Sequence, residues 1–369
     1  NKRYYVFIIA VFLCLISCKK EVEELPVSPG TPTTPVIPDE SDTVSVYVDL
    51  NAVPYQSLST YRFFVGDLKD MAPNVNVLPF EPISSLFTDY ASKKRFVWMP
   101  EDVSASYVTD DDILNFPVGA VLIKHFYYEQ SLPLNNQRII ETRLMIKKST
   151  GWLFATYVWN EQQTEATLST TGSNVPVSFR NNGETLSTTY RIPSNTECMI
   201  CHKLVDDPIP IGVKPQHLNK DYAFADGAMN QLDKWIVQGY LSSRPTQQLT
   251  LVDYRDESKS LNERVRSYLD INCAHCHSAG KHCDYRPLKL AYSETQQMIN
   301  LGLCVTPDEL LDPSIQNIIT PLDPLGSMMH FRMSTNEESQ RMPLLGRSMV
   351  HREALTLLEQ YINTIQSCE

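Results

Sequence analysis

Tyr268-Leu269-Asp270-Ile271-Asn272-Cys273-Ala274-His275-Cys276-His277 closes on a C-x-x-C-H, and the pattern stands once before, as Cys198-Met199-Ile200-Cys201-His202. Two thiols three positions apart with an imidazole on the next residue meet the needs of covalent haem attachment. The thiols form thioether bonds to the porphyrin vinyl groups, and the ring nitrogen reaches the iron from the same turn. Paired C-x-x-C motifs also hold structural zinc, and a single one can be a redox disulfide. Zinc knuckles, however, usually face each other across a short insert, whereas these pairs lie far apart and each carries its own His. Neither stands in the strand-to-helix setting of a thioredoxin-type site. The expectation is therefore two haem c groups, attached at Cys198, Cys201, Cys273 and Cys276, with iron ligands His202 and His277.

Around the second motif, Leu261, Val265, Tyr268 and Leu269 fall on one face of a helix running into Cys273. Ala354, Leu355, Leu358, Tyr361, Ile362 and Ile365 repeat the helical spacing near the end. Two amphipathic helices bracketing the motif predict a mainly helical cytochrome c-type module over 254–369. Between them lies Arg341-Met342-Pro343, a methionine in an extended loop shortly ahead of the last helix. Met342 is the expected distal iron ligand, with Met333 or His330 as substitutes and plain packing as the other reading. His275, between the attachment cysteines, is expected to be exposed.

The first motif opens a shorter module over 191–253. Pro208, Pro210 and Pro215 enforce loop, and Leu232, Trp235 and Ile236 predict a helix within Met229–Tyr240 that closes over the haem edge. Its distal ligand is open: Met229 is preferred, His217 and Lys214 are in range, and a vacant coordination position is equally compatible with the sequence.

Upstream, Phe96 to Tyr190 reads as strands. Val121, Ile123 and His125 alternate with Leu122, Lys124 and Phe126, the stretches 138–148 and 151–159 are rich in β-branched and aromatic residues, and Asn181-Asn182-Gly183 marks a hairpin turn. An antiparallel, sandwich-like β domain over 44–190 follows, with Trp98, Trp152 and Trp159 in its core and Lys93-Lys94-Arg95 as a solvated cluster. The expected class is multidomain α+β: this β domain followed by two mainly helical haem modules. No nucleophile, metal or phosphate motif is legible in the β segment.

The N-terminus reads as targeting. Lys2 and Arg3 precede an apolar run, and Leu15-Ile16-Ser17-Cys18 has the form of a lipobox, so 1–17 is expected to be a signal peptide and Cys18 to carry lipid. Residues 18–43, with Pro26, Pro29, Pro32, Pro35 and Pro38, form an extended tether. Net charge is −11. Removal of the two cations Lys2 and Arg3 makes it two units more negative, which disfavours nucleic acid and favours basic partners. Of nine cysteines, Cys283, Cys304 and Cys368 remain after the leader, the lipid and the haems are supplied. In an oxidising compartment two are expected to pair, Cys283 with Cys304 being preferred because both flank the second haem loop.

Phe116-Pro117-Val118-Gly119 through Lys124, Glu141-Thr142-Arg143-Leu144, Tyr157-Val158-Trp159-Asn160, Leu218-Asn219-Lys220-Asp221-Tyr222, Asn230-Gln231-Leu232, the second haem motif and Arg341-Met342-Pro343 together resemble a family of exported bacterial dihaem c-type cytochromes. The resemblance covers about Leu58 to the end. It implies an outer-membrane lipoprotein facing the periplasm or the cell surface, redox partners in the cell envelope and a possible partnership with an exported parallel β-helix protein. It supplies no substrate and no distal ligand for the first haem. Three function classes follow: an electron carrier, a dihaem peroxidase-like enzyme with an open first haem, and a haem-bearing module that docks onto an exported partner. The first is preferred.

Overall fold

The alternation around Val121 is realised in a long strand at the centre of one antiparallel sheet. The structure is a computed structural model that describes residues 44–368; the expected signal peptide, the lipidated Cys18 and the tether lie outside the described residues. A small ribbon pairs β1 (Phe64–Val65) with β2 (Ala72–Pro73). The main sheet contains β3 (Leu78–Phe80), β4 (Ser92–Trp98), β5 (Val121–Ser131), β6 (Asn136–Lys148), β7 (Gly151–Trp159), β8 (Ala166–Ser169), β9 (Ser173–Asn181) and β10 (Glu184–Ile192). β5 to β8 form a meander, β4 and then β3 extend it beyond β5, and the β9–β10 hairpin joins the far end of β5 where Ser131 faces Phe179. The hairpin turns at Asn182 (φ 48°) and Gly183 (φ 84°), the left-handed pair that a two-residue turn of matching twist requires.

Because side chains alternate across a strand, the sheet has two distinct faces. On one, Phe96, Val121, Ile123, Ile146 and Tyr157 pack under the segment that precedes the sheet, through Leu58, Tyr61, Phe63 and Met71. On the other, Val97, Leu122, Met145 and Trp152 pack against Leu114, Phe116, Val213, Leu232 and Trp235. Trp152 and Trp159 are buried and Trp98 packs at the edge of the first cluster, as expected for core residues.

The chain then continues through α1 (Asn195–Cys201), β11 (Lys203–Leu204), β12 (Asp207–Pro208), α2 (Pro215–Leu218), β13 (Asp221–Phe224), β14 (Gly227–Asn230), α3 (Gln231–Val237), α4 (Leu261–Asn272), α5 (Met328–Ser334) and α6 (Arg352–Ile362). The expected class fails here. Strand pairing takes 28% of the described residues against 17% for helix, divided among short helices, so no two mainly helical haem modules are present. Nor is the β part a sandwich: its second face is covered by helices and loops, not by another sheet. The physical reason is the distribution of apolar side chains. The helical spacing around Leu232 and Trp235 is real, but both side chains enter the core against the sheet, with Trp235 edge-on to Phe80 at 5.6 Å. They leave the first C-x-x-C-H uncovered by a helix. In the C-terminal part α4 and α6 do pack together through Val265, Leu269, Ala354, Leu358 and Ile362. The chain between Cys273 and Met328 nevertheless advances through turns and isolated bridges. The described residues form one compact unit.

The disulfide also differs from expectation. Cys304 pairs with Cys368, and Cys283 is a free, buried thiol. Cys283 is retained in the loop that follows the second C-x-x-C-H by its amide, which donates to the Cys276 carbonyl at 3.0 Å. The tail leaving α6 returns instead to Cys304. The bridge spans a sequence separation of 64, for which loop-closure entropy implies stabilisation of about 4 kcal/mol. Cys368→Ser is expected to lower the urea midpoint by a corresponding amount, with the slope increased; an unchanged midpoint contradicts the pairing.

Candidate functional site

Each C-x-x-C-H is placed by a capped helix. Ser194 caps α1, its hydroxyl accepting from the Glu197 amide while the Glu197 carboxylate accepts from the Ser194 amide. This reciprocal box fixes the helix start four residues before Cys198, and three positions further Cys201 falls on the same side. Ser260 and Glu263 build the same box on α4. That helix ends at Cys273, and the amides of Cys276 and His277 then both donate to the Cys273 carbonyl, at 3.0 and 2.9 Å, curling the motif into one turn.

Two cavities open on these turns. The larger encloses about 1540 Å³ with its mouth and is lined by Cys273, Cys276, His277, Met342 and Met333. The smaller, about 1280 Å³, is lined by Cys198, Cys201 and His202 above the second face of the sheet. They share walls: Phe87, Cys201, Asn272, His275, Pro343 and Leu345 line both. At the divide, the Cys201 and Cys276 sulfurs are 4.0 Å apart, although 75 positions separate them in sequence.

The donor set fits haem c. Cys198, Cys201, Cys273 and Cys276 are free thiols beside mainly apolar space. His202 Nδ1 lies 2.9 Å from the Ile209 carbonyl, while the Ile209 amide donates back to the His202 carbonyl at 3.1 Å across the β11–β12 ribbon. A backbone acceptor on Nδ1 fixes the tautomer that leaves Nε2 free for a metal. Phe154 stands edge-on to the ring at 5.2 Å. Nδ1 of His277 is buried without a partner. Burial lowers His202 to about 3 and His277 to about 4, so both rings keep an unprotonated nitrogen at neutral pH.

The expected distal groups divide sharply. Met342 lines the larger cavity, and its loop is pinned by buried Arg347, whose guanidinium donates to the carbonyls of Met342 (3.0 Å), Arg332 (2.9 Å) and Thr335 (2.9 Å). Met333 lines the same cavity. His330 does not; its Nε2 is held 2.8 Å from Glu359. For the first motif none of the expected groups reaches the cavity. Met229 sits exposed on β14, paired in register with Tyr222. His217 and Lys214 are taken by Asp270 of α4, with His217 Nε2 at 2.6 Å and Lys214 Nζ at 3.1 Å. Burial alone raises the Asp270 carboxyl, but Lys214 and His217 outweigh it and hold the group well below the usual carboxylate range. Met229 falls short of the helix, because Asn230 caps α3 at its N-terminal end and the residues before the cap form the β13–β14 hairpin.

Groups able to ligate iron that do line the first cavity are Lys124, Met145 and His275. Lys124 and Met145 come from the sheet and carry no sequence signal beyond strand alternation. His275 is partly buried with an unpartnered Nδ1, not exposed as expected. With Cys201 and Cys276 it also forms a cluster whose ligand atoms lie within 4.8 Å of one another. Three ligands leave a structural zinc site one short.

No protein-family model, curated protein or solved structure matches this chain.

Proposed function

We propose that the chain is an exported dihaem c-type cytochrome that carries electrons. One observation bears most of the weight: two C-x-x-C-H turns open on adjoining cavities, with Cys201 and Cys276 meeting at the shared wall. A small metal at Cys201, His275 and Cys276 is the competing reading. It leaves Cys198, Cys273, His202 and His277 without a role and both cavities unexplained. When bound, haem supplies a one-electron ferric/ferrous couple. The chain's own part is to present His202 and His277 as neutral ligands, to hold Met342 through Arg347, and to exclude water with the apolar shared wall around Phe87, Pro343 and Leu345. Cys201 and His275 between the cavities favour short transfer from one site to the other.

A peroxidase-like role needs an acid or base free to move a proton beside an open iron position. Glu197 is the only carboxylate lining the first cavity among the described residues, and it is engaged by the Ser194 cap and by Arg191 at 2.8 Å. An electron carrier is therefore the better reading. The lipobox at Leu15–Cys18 supports an outer-membrane lipoprotein, and the family resemblance supports envelope redox partners, with an exported parallel β-helix protein among them.

The test is the ferric spectrum of full-length holoprotein. Low-spin haem is expected at the second motif, with a long-wavelength thioether-to-iron band that disappears in Met342→Ala. A high-spin ferric signal that changes on peroxide addition supports the enzyme instead, and a band that survives Met342→Ala shifts the ligand to Met333.

A further inference from the structure

Arg95, Lys124 and Arg143 stand side by side across β4, β5 and β6, since Arg95 is the register partner of Lys124 and Lys124 that of Arg143. Their side chains share the sheet's second face, and all three line the first cavity. The Lys93-Lys94-Arg95 run was expected to be solvated, yet Arg95 is only 7% exposed.

Like charges directly opposite on neighbouring strands are destabilising, and buried cations normally carry partners. Arg143 has one: Glu141 receives its Nε at 2.8 Å and also contacts the guanidinium end, while Tyr190 donates to the same carboxylate at 2.7 Å. Arg95 and Lys124 have none, for among the described residues neither side chain makes a hydrogen bond or ion pair. Glu81, the acid whose charge acts on Arg95, is itself paired with Lys220 at 3.1 Å. Lys124 Nζ rests 4.7 Å from the Phe126 ring centre, and the Arg143 guanidinium 4.3 Å from the same centre. Burial, then Arg95 and its cationic neighbours, press Lys124 well below the ordinary lysine range. Arg95 and Lys124 face the cavity without a carboxylate of their own, and an anion placed there would hold Lys124 charged.

We propose that Arg95 and Lys124 form a carboxylate-binding site that holds the propionates of the haem attached at Cys198 and Cys201. This inference rests on the dihaem reading. Haem carries two carboxylates that must be neutralised or solvated, and the row supplies fixed donors on the floor of the cavity that receives the first motif. The arrangement also explains why a β-sheet face places cations where its neighbouring positions, Leu122 and Met145, are core.

The test uses full-length holoprotein with Arg95→Gln, Lys124→Gln and the double variant, beside charge-preserving Arg95→Lys and Lys124→Arg. The propionate deformation band in resonance Raman is expected to shift for one haem in the Gln variants. The midpoint potential of that haem moves negative, because removing nearby positive charge favours the ferric form, and the other haem is unmoved. The charge-preserving variants retain the wild-type midpoint. If the double variant loses haem, the single variants give the reading. Unchanged Raman band and potential in both single variants overturn the assignment. A wild-type haem spectrum that responds to inorganic phosphate or nitrite, with the response lost in Lys124→Gln, overturns it in favour of a free oxyanion. Loss of low-spin character in Lys124→Gln overturns it in favour of Lys124 as an iron ligand. Wild-type protein without two haems removes the dihaem reading itself, a failure separate from these.

Discussion

Cys273→Ser combined with Cys276→Ser is expected to halve the covalent haem of the protein, from two per chain to one, with the haem at Cys198 and Cys201 retained. Thioether attachment needs the thiols themselves, and of the other free cysteines lining the larger cavity Cys201 belongs to the first C-x-x-C-H turn and Cys283 to none. Cys283 has His282 directly before it, but no second thiol three positions away and no His directly after it, so it does not reproduce the attachment turn. The remaining haem should show an altered spectrum, because Cys276 lies 4.0 Å from Cys201 and loss of the second haem uncovers the wall between the sites. Haem absorbance of the denatured variant in alkaline pyridine, divided by protein concentration, measures this. A variant that still carries two covalent haems contradicts the attachment, and one that carries none means the sites assemble only together.

The second large effect is on stability. Asp270 is 3% exposed and gathers Lys214, His217 and the Tyr292 amide, the last at 2.9 Å, thereby tying α4 to α2 and to the loop beyond the haem motif. Asp270→Ala leaves Lys214 short of one of its two carboxylates and His217 without its acceptor. Removing one partner of a buried ionic group costs about 3–5 kcal/mol. The pH dependence has a definite sign. A carboxyl held below its unfolded-chain value adds stability that is complete above that value and is lost as pH falls toward the folded one. Since the folded Asp270 lies well below the ordinary range, the gap between wild type and Asp270→Ala should be constant near neutrality and shrink once pH drops below about 4. Urea unfolding of the holoprotein across that range measures it; a gap that widens in acid contradicts the network.

Local patterns were legible in the sequence, and long-range architecture was not. C-x-x-C-H is local: the residues that must act together lie within one helical turn, so Cys198, His202, Cys273 and His277 could be singled out without knowing the fold. The Asn182-Gly183 turn and the alternation along β5 are local in the same sense. What failed depends on distant partners. Helical spacing around Leu232 and Trp235 says that one face is buried but not against what, and the sheet claimed it. His217 and Lys214 offered plausible ligand atoms, yet Asp270, more than fifty positions away, binds both. Cys304 could have paired with either remaining cysteine, and only the return of the C-terminal tail decides for Cys368. Arg95 and Lys124 appear as ordinary strand cations until the register between β4, β5 and β6 sets them in one row over a cavity.

The most direct measurement is the intact mass of the full-length protein under denaturing conditions, together with its bound metal. Thioether-linked haem survives denaturation, so a polypeptide heavier by two haem groups is expected, with two iron atoms and no stoichiometric zinc. A bare polypeptide mass accompanied by one zinc per chain would contradict it and assign Cys201, His275 and Cys276 to a small-metal site instead.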